Sequence, residues 1–72
     1  MHEQRLRNTI KLQRAKLDLT QEQLADRVKV SRKTINTIEN GKFIPSTVLA
    51  LQLSHALGVT VEKLFELDNS KS

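Results

Sequence analysis

TQEQLADRVKVSRKTINTIENGK, residues 20–42, decides how the rest of the chain is read. Thr20 is a good helix N-cap. Gln23, three positions later, completes a capping box, in which side chains and backbone of the first turn satisfy one another. Leu24, Ala25 and Val28 then share one helical face. Ser31 caps again, able to accept from the backbone N–H of Lys33 or Thr34, and Ile35 and Ile38 give the following helix a buried side. Gly41, just past Asn40, is the expected left-handed residue at the helix end, since it has no Cβ to strain there. The stretch reads as helix, turn of about three residues, helix.

Outward from this stretch the same grammar continues. A first helix is expected from Glu3 or Gln4 to Lys16, with Leu6, Ile10 and Leu17 as one apolar stripe and Leu12 off it. Asp18 interrupts that helix and Leu19 re-enters the core. After Gly41 comes a loop, Lys42-Phe43-Ile44-Pro45. Ser46 then caps a fourth helix whose core stripe is Leu49, Leu53, Ala56 and Leu57. Gly58 ends it, Val59 re-enters the core, and Thr60 caps a short fifth helix through Val61, Leu64 and Phe65. Residues 1–67 make one domain, an all-α, compact five-helix bundle, and residues 68–72 are expected to be a disordered tail.

Composition narrows the classes. Seventy-two residues are near the lower limit for a core that holds without staples. The chain has no cysteine, which excludes disulfides and thiolate metal sites and fits a reducing cytoplasm. No apolar run approaches a membrane span, and no signal-peptide core follows the basic N-terminus. Residues 1–42 carry a net +5 and residues 43–72 a net −1, together the +4 of the whole chain. A basic half beside a slightly acidic half suits a protein that turns one side to a polyanion.

Catalysis finds little support. His2 is terminal and His55 stands alone, with no paired carboxylate and no second ligand at metal spacing. Two glycines leave no phosphate-cradling loop, and Ser31 has no base beside it. The expectation is a non-enzyme without metal or cofactor. The opening of the third helix is richer: Ser31, Arg32, Lys33, Asn36 and Thr37 lie away from Ile35 and Ile38. Arg and Lys can donate to guanine O6 and N7, Asn can pair with adenine, and Thr can offer its methyl to thymine.

With these residues in view, the chain resembles the helix-turn-helix domain of the phage repressor and Cro family (XRE type), especially its small one-domain regulators. The resemblance rests on Thr20-Gln21-Glu22-Gln23-Leu24-Ala25, on Val30-Ser31-Arg32-Lys33-Thr34-Ile35 and on Ile38-Glu39-Asn40-Gly41-Lys42. Pro45-Ser46 and Leu57-Gly58-Val59 follow in order, so that it covers roughly residues 5–67. It implies a lambda-repressor-like fold with the helix-turn-helix at the second and third helices. It also implies base contacts by Arg32, Lys33, Asn36 and Thr37, with Ser31 and Thr34 nearer the DNA backbone. Phosphate contacts are expected from Gln21, Asn40, Lys42 and the Ser46 helix start. Arg14 is expected to pair with Glu39 and could also reach a phosphate. Asp18 and Lys29 stand where the family often has glycine, which implies a left-handed backbone at both.

One such domain makes few contacts, so specific binding is expected to need a twofold dimer on a palindromic site. Phe43, Ile44, Val48, Leu51, Phe65 and Leu67 are apolar positions available for that interface. The resulting expectation is a cytoplasmic, sequence-specific regulator of transcription, a repressor acting on double-stranded DNA as a homodimer. The alternatives are an antitoxin-type protein, whose main partner is another protein, and a controller protein of a restriction–modification system.

Overall fold

The computed structural model describes residues 5–68. Five helices and one two-stranded ribbon follow in order: β1 (Arg5–Asn8), α1 (Ile10–Lys16), α2 (Gln21–Val28), α3 (Arg32–Glu39), α4 (Thr47–Leu57), α5 (Val61–Leu64) and β2 (Phe65–Asp68). Ile10, Leu19, Leu24, Ala25, Val28, Ile35, Ile38, Leu49, Leu53, Leu57, Leu64 and Phe65 form one core, drawn from all five helices and their connectors. α2 packs against both α3 and α4.

Helices of four to eleven residues are too short to persist alone, so their ends must be stabilised. Each N-terminal cap of α2 to α5 is a hydroxyl: Thr20, Ser31, Ser46 and Thr60 accept from the backbone N–H of Gln23, Thr34, Leu49 and Lys63. The Thr20–Gln23 box is closed in both directions. The C-terminal ends of α1 to α4 are also alike. Leu19 N–H donates to Arg14 O, Val30 to Ala25 O, Lys42 to Thr37 O and Val59 to Ser54 O, at 2.9–3.1 Å. Each bond spans a left-handed residue, Asp18, Lys29, Gly41 or Gly58, with φ between 56 and 74°. These are Schellman closures.

Three helix junctions are consequently built from one three-residue connector. Asp18-Leu19-Thr20, Lys29-Val30-Ser31 and Gly58-Val59-Thr60 each run left-handed residue, apolar plug, hydroxyl cap. The fourth junction departs from the pattern. Exposed Lys42 takes the plug position, and Phe43 and Ile44 are 49% and 67% exposed before Pro45 and Ser46 resume the chain.

Several expectations are corrected. The five expected helices are present, but residues 5–8 form a strand instead of the first turns of the first helix, adding a short ribbon to the helical fold. β1 pairs antiparallel with β2, Arg5 opposite Asp68 and Asn8 opposite Phe65. Asn8 and Thr9 stop the helix from extending backwards. Asn8 Oδ1 accepts from Ile10 N–H at 3.1 Å and its Nδ2 donates to Ile38 O at 2.9 Å. Thr9 N–H and Oγ1 donate to Leu64 O and Lys63 O, each at 2.9 Å. These bonds tie the chain to α3 and α5, and local side-chain bonding of this kind competes with helix.

Leu17, expected on the apolar stripe, is 48% exposed, because α1 ends at Lys16 and the chain turns at Asp18. Phe65 and Leu67 belong to β2, not to the fifth helix, and Asp68 is the last residue of that strand instead of the first of a tail. The expected helix start at Glu3 or Gln4, His2, and residues 69–72 of the tail lie outside the described residues. Across the ribbon Arg7 meets Glu66 at 2.7 Å, and this hydrogen bond, followed by the charges of Glu66 and Asp68, holds the guanidinium above its usual range. Both side chains are well exposed, so the pair contributes little to stability.

Lys29 carries a Cβ at φ 62° where the closure favours glycine. Lys29→Gly should raise stability by about 1 kcal/mol, which is about 4–8 °C in thermal midpoint for a domain of this size. Calorimetry checks this, and a lower midpoint would show that Lys29 makes a compensating contact.

Candidate nucleic-acid interface

The helix-turn-helix is braced by one charged side chain reaching across three elements. From α1, Arg14 Nε donates to Glu39 Oε2 at 2.8 Å and Nη2 to Oε1 at 3.2 Å, a bidentate grip on the last residue of α3. Its remaining nitrogen, Nη1, donates to Leu19 O at 2.8 Å in the α1–α2 connector. The side chains are 14% and 6% exposed, so the pair is largely withdrawn from water. All three guanidinium nitrogens thereby make hydrogen bonds within the chain.

Glu39 Oε1 also accepts from the Gln21 amide at 3.0 Å. Gln21 opens α2. Its amide nitrogen lies 3.2 Å from Asn36 Oδ1, and its oxygen accepts from Arg32 Nη1 at 3.4 Å. The expected base-reading residues are therefore clustered. Arg32, Lys33 and Asn36 are exposed on α3, while Thr37 is half-buried and turns its hydroxyl back to Thr34 O and Lys33 O at 2.9 and 3.1 Å. Ser31 and Thr34 are joined at 3.0 Å where α3 begins. Asn40 and Lys42 are exposed beyond its other end, and Ser46 opens α4.

Several large apolar side chains outside α3 are exposed. Val48 and Leu51 on α4, Phe43 and Ile44 in the irregular loop, and Leu67 on β2 are 46–67% exposed. Residues 43–61 contain no Asp, Glu, Lys or Arg. Phe65, expected with this set, is instead 9% exposed and packs in the core at the start of β2, directly after α5. Phe65-Glu66-Leu67-Asp68 alternates apolar and polar residues and so allows a strand, but which of its side chains meets the core had no local signal. Gln21's link to Asn36 and Arg32, fifteen and eleven residues away, had no local signal.

Among the described residues no cluster of three His, Cys, Asp or Glu side chains could hold a metal ion, and no helix is long and apolar enough to cross a membrane.

Comparison with known proteins fits this geometry. The helix-turn-helix family profile matches residues 10–64, and the chain belongs to that family. An uncharacterized HTH-type transcriptional regulator of Methanothermobacter thermautotrophicus is 45% identical over 64 residues, covering 88% of this chain and 93% of that protein. The control protein C.MunI of a Mycoplasma species is 40% identical over 55 residues, covering 76% and 74%. Among solved structures, the restriction–modification controller protein C.AhdI of Aeromonas hydrophila superposes with a TM-score of 0.70 at 28% identity, covering 75% of this chain and 78% of that one.

Removing one partner of a buried ion pair leaves the other charge stranded, at a cost of about 3–5 kcal/mol. That is a large share of the total stability of a small domain. Glu39→Ala should therefore lower the melting temperature by more than about 10 °C. An unchanged midpoint in thermal circular dichroism would show that Arg14 finds another acceptor.

Proposed function

We propose that this helix-turn-helix regulator binds double-stranded DNA sequence-specifically, as a homodimer that lays α3 into the major groove of a palindromic operator. The exposed face of α3 carries that assignment. Arg32, Lys33 and Asn36 stand clear of the core on a helix fixed at both ends, and their donors match base edges in the major groove. Thr37 offers its methyl group at the edge of the same face. Flanking groups supply phosphate contacts. The start of α2 at Gln21, Ser31 and Thr34 lie to one side, and Asn40, Lys42 and the Ser46 helix start to the other. The basic half of the sequence, residues 1–42, contains α1 to α3, which supports a polyanion partner on that side.

A second copy of the chain covers the apolar surface. Phe43, Ile44, Val48, Leu51 and Leu67 are each exposed, and the charge depletion of residues 43–61 is of the sort that marks the core of protein interfaces. Two copies meeting there bring no like charges from residues 43–61 into apposition. A repressor that blocks transcription by occupancy, working in the cytoplasm without catalysis or cofactor, needs no more than these two surfaces. The likeness to C.MunI and C.AhdI favours a specific second reading, a controller of restriction–modification genes.

Selection from a random duplex DNA library tests the proposal. An inverted repeat with half-site centres about 10 bp apart is expected, and failure to enrich any sequence would defeat it. On the selected site, Arg32→Ala should cost about 1–3 kcal/mol and relax preference at one position. Lys42→Ala should weaken all sequences evenly and reduce the salt slope by about one. Equal losses on every sequence for Arg32→Ala, or altered preference for Lys42→Ala, would reverse those roles. Ile44→Asp should convert dimer to monomer in sedimentation velocity and weaken operator binding by about a hundredfold; a dimer that persists places the interface elsewhere.

A further inference from the structure

The Arg14–Glu39 pair also fixes the direction of a hydrogen-bond chain that reaches the candidate DNA surface. A primary amide has two N–H donors and one acceptor oxygen. Against the Glu39 carboxylate the Gln21 amide must turn its nitrogen inward, where one N–H meets Oε1 at 3.0 Å. The other N–H goes to Asn36 Oδ1 at 3.2 Å, and the Gln21 oxygen accepts from Arg32 at 3.4 Å. Asn36 is thus held with its oxygen drawn back toward Gln21 and its own N–H groups free to face outward. Arg32 has only donors to give.

We propose that Glu39 is a positioning residue for base recognition: acting through Gln21, it turns Asn36 and Arg32 so that this face of α3 presents donors. Such a face selects acceptor-rich edges, guanine with its N7 and O6 above all. The usual pairing of Asn with adenine needs the amide oxygen forward to accept from N6, and here that oxygen is tethered. The proposal rests on α3 being the recognition helix.

The test compares operators selected by the unsubstituted chain, by Gln21→Leu and by Glu39→Gln, at one salt concentration. The unsubstituted protein should place guanine opposite Arg32 and Asn36. Gln21→Leu keeps the ion pair but lacks the amide. It should lose about tenfold discrimination at those two positions and accept adenine opposite Asn36, with preferences elsewhere in the half-site retained. Glu39→Gln should shift preference in the same way, and if it fails to fold, Gln21→Leu decides. Uniform weakening of all sequences by Gln21→Leu, with the salt slope lowered by about one, would make Gln21 a plain phosphate contact. That result would overturn the proposal and leave the DNA-binding reading standing. Adenine opposite Asn36 in the unsubstituted operator would overturn it equally. A lack of any sequence preference in the unsubstituted protein would defeat both together.

Discussion

Arg14 and Glu39 lie twenty-five residues apart, and the bidentate bond between them is the constraint on which the surface geometry depends. It fastens α1 to the end of α3, and through Leu19 O it also fastens the connector into α2. Two charges this far out of water are held by the bidentate contact and by the further bonds that Leu19 O and the Gln21 amide make to them. A well-packed apolar substitute could match the stability. It could not hold the Gln21 amide, and so could not orient side chains on the face of α3.

The same economy governs the helix ends. In a chain this short, each helix gains little from its own length, and the repeated connector supplies the rest. A left-handed residue closes one helix, an apolar residue plugs the core, and a hydroxyl opens the next. The connector sets α2 against α3 with three residues, few enough to leave the turn little freedom. Lys29 accepts strain there on the order of 1 kcal/mol.

The one junction that breaks the rule lies beside the candidate interface. Between α3 and α4 the plug position holds Lys42, and Phe43 and Ile44 remain largely outside the core. Neither choice serves the stability of a single copy. A cation next to the end of α3, followed in the chain by exposed apolar residues, is what the two proposed surfaces require, DNA on one side and a second chain on the other.

Much of this was legible in the residues alone. Thr20, Ser31, Ser46 and Thr60 announced four helix starts, Gly41 and Gly58 two ends, and the spacing of Leu24, Val28, Ile35, Ile38, Leu49 and Leu53 the buried faces. These signals act within one or two turns, and local physics suffices to read them. The ribbon was misread because Leu6 and Ile10 also fit helical spacing. Pairing with β2, and the bonds of Asn8 and Thr9 to Ile38, Lys63 and Leu64, turn residues 5–8 into a strand. Phe65 was legible as apolar but not as buried, since that depended on which face of β2 met the core. Sequence by itself determined the helix-turn-helix and the chemistry of its exposed face, because caps, closures and apolar spacing are local. Tertiary structure decided the ribbon, the burial of Phe65 and the orientation of Gln21, Asn36 and Arg32, because those depend on partners brought together only when the chain closes on itself.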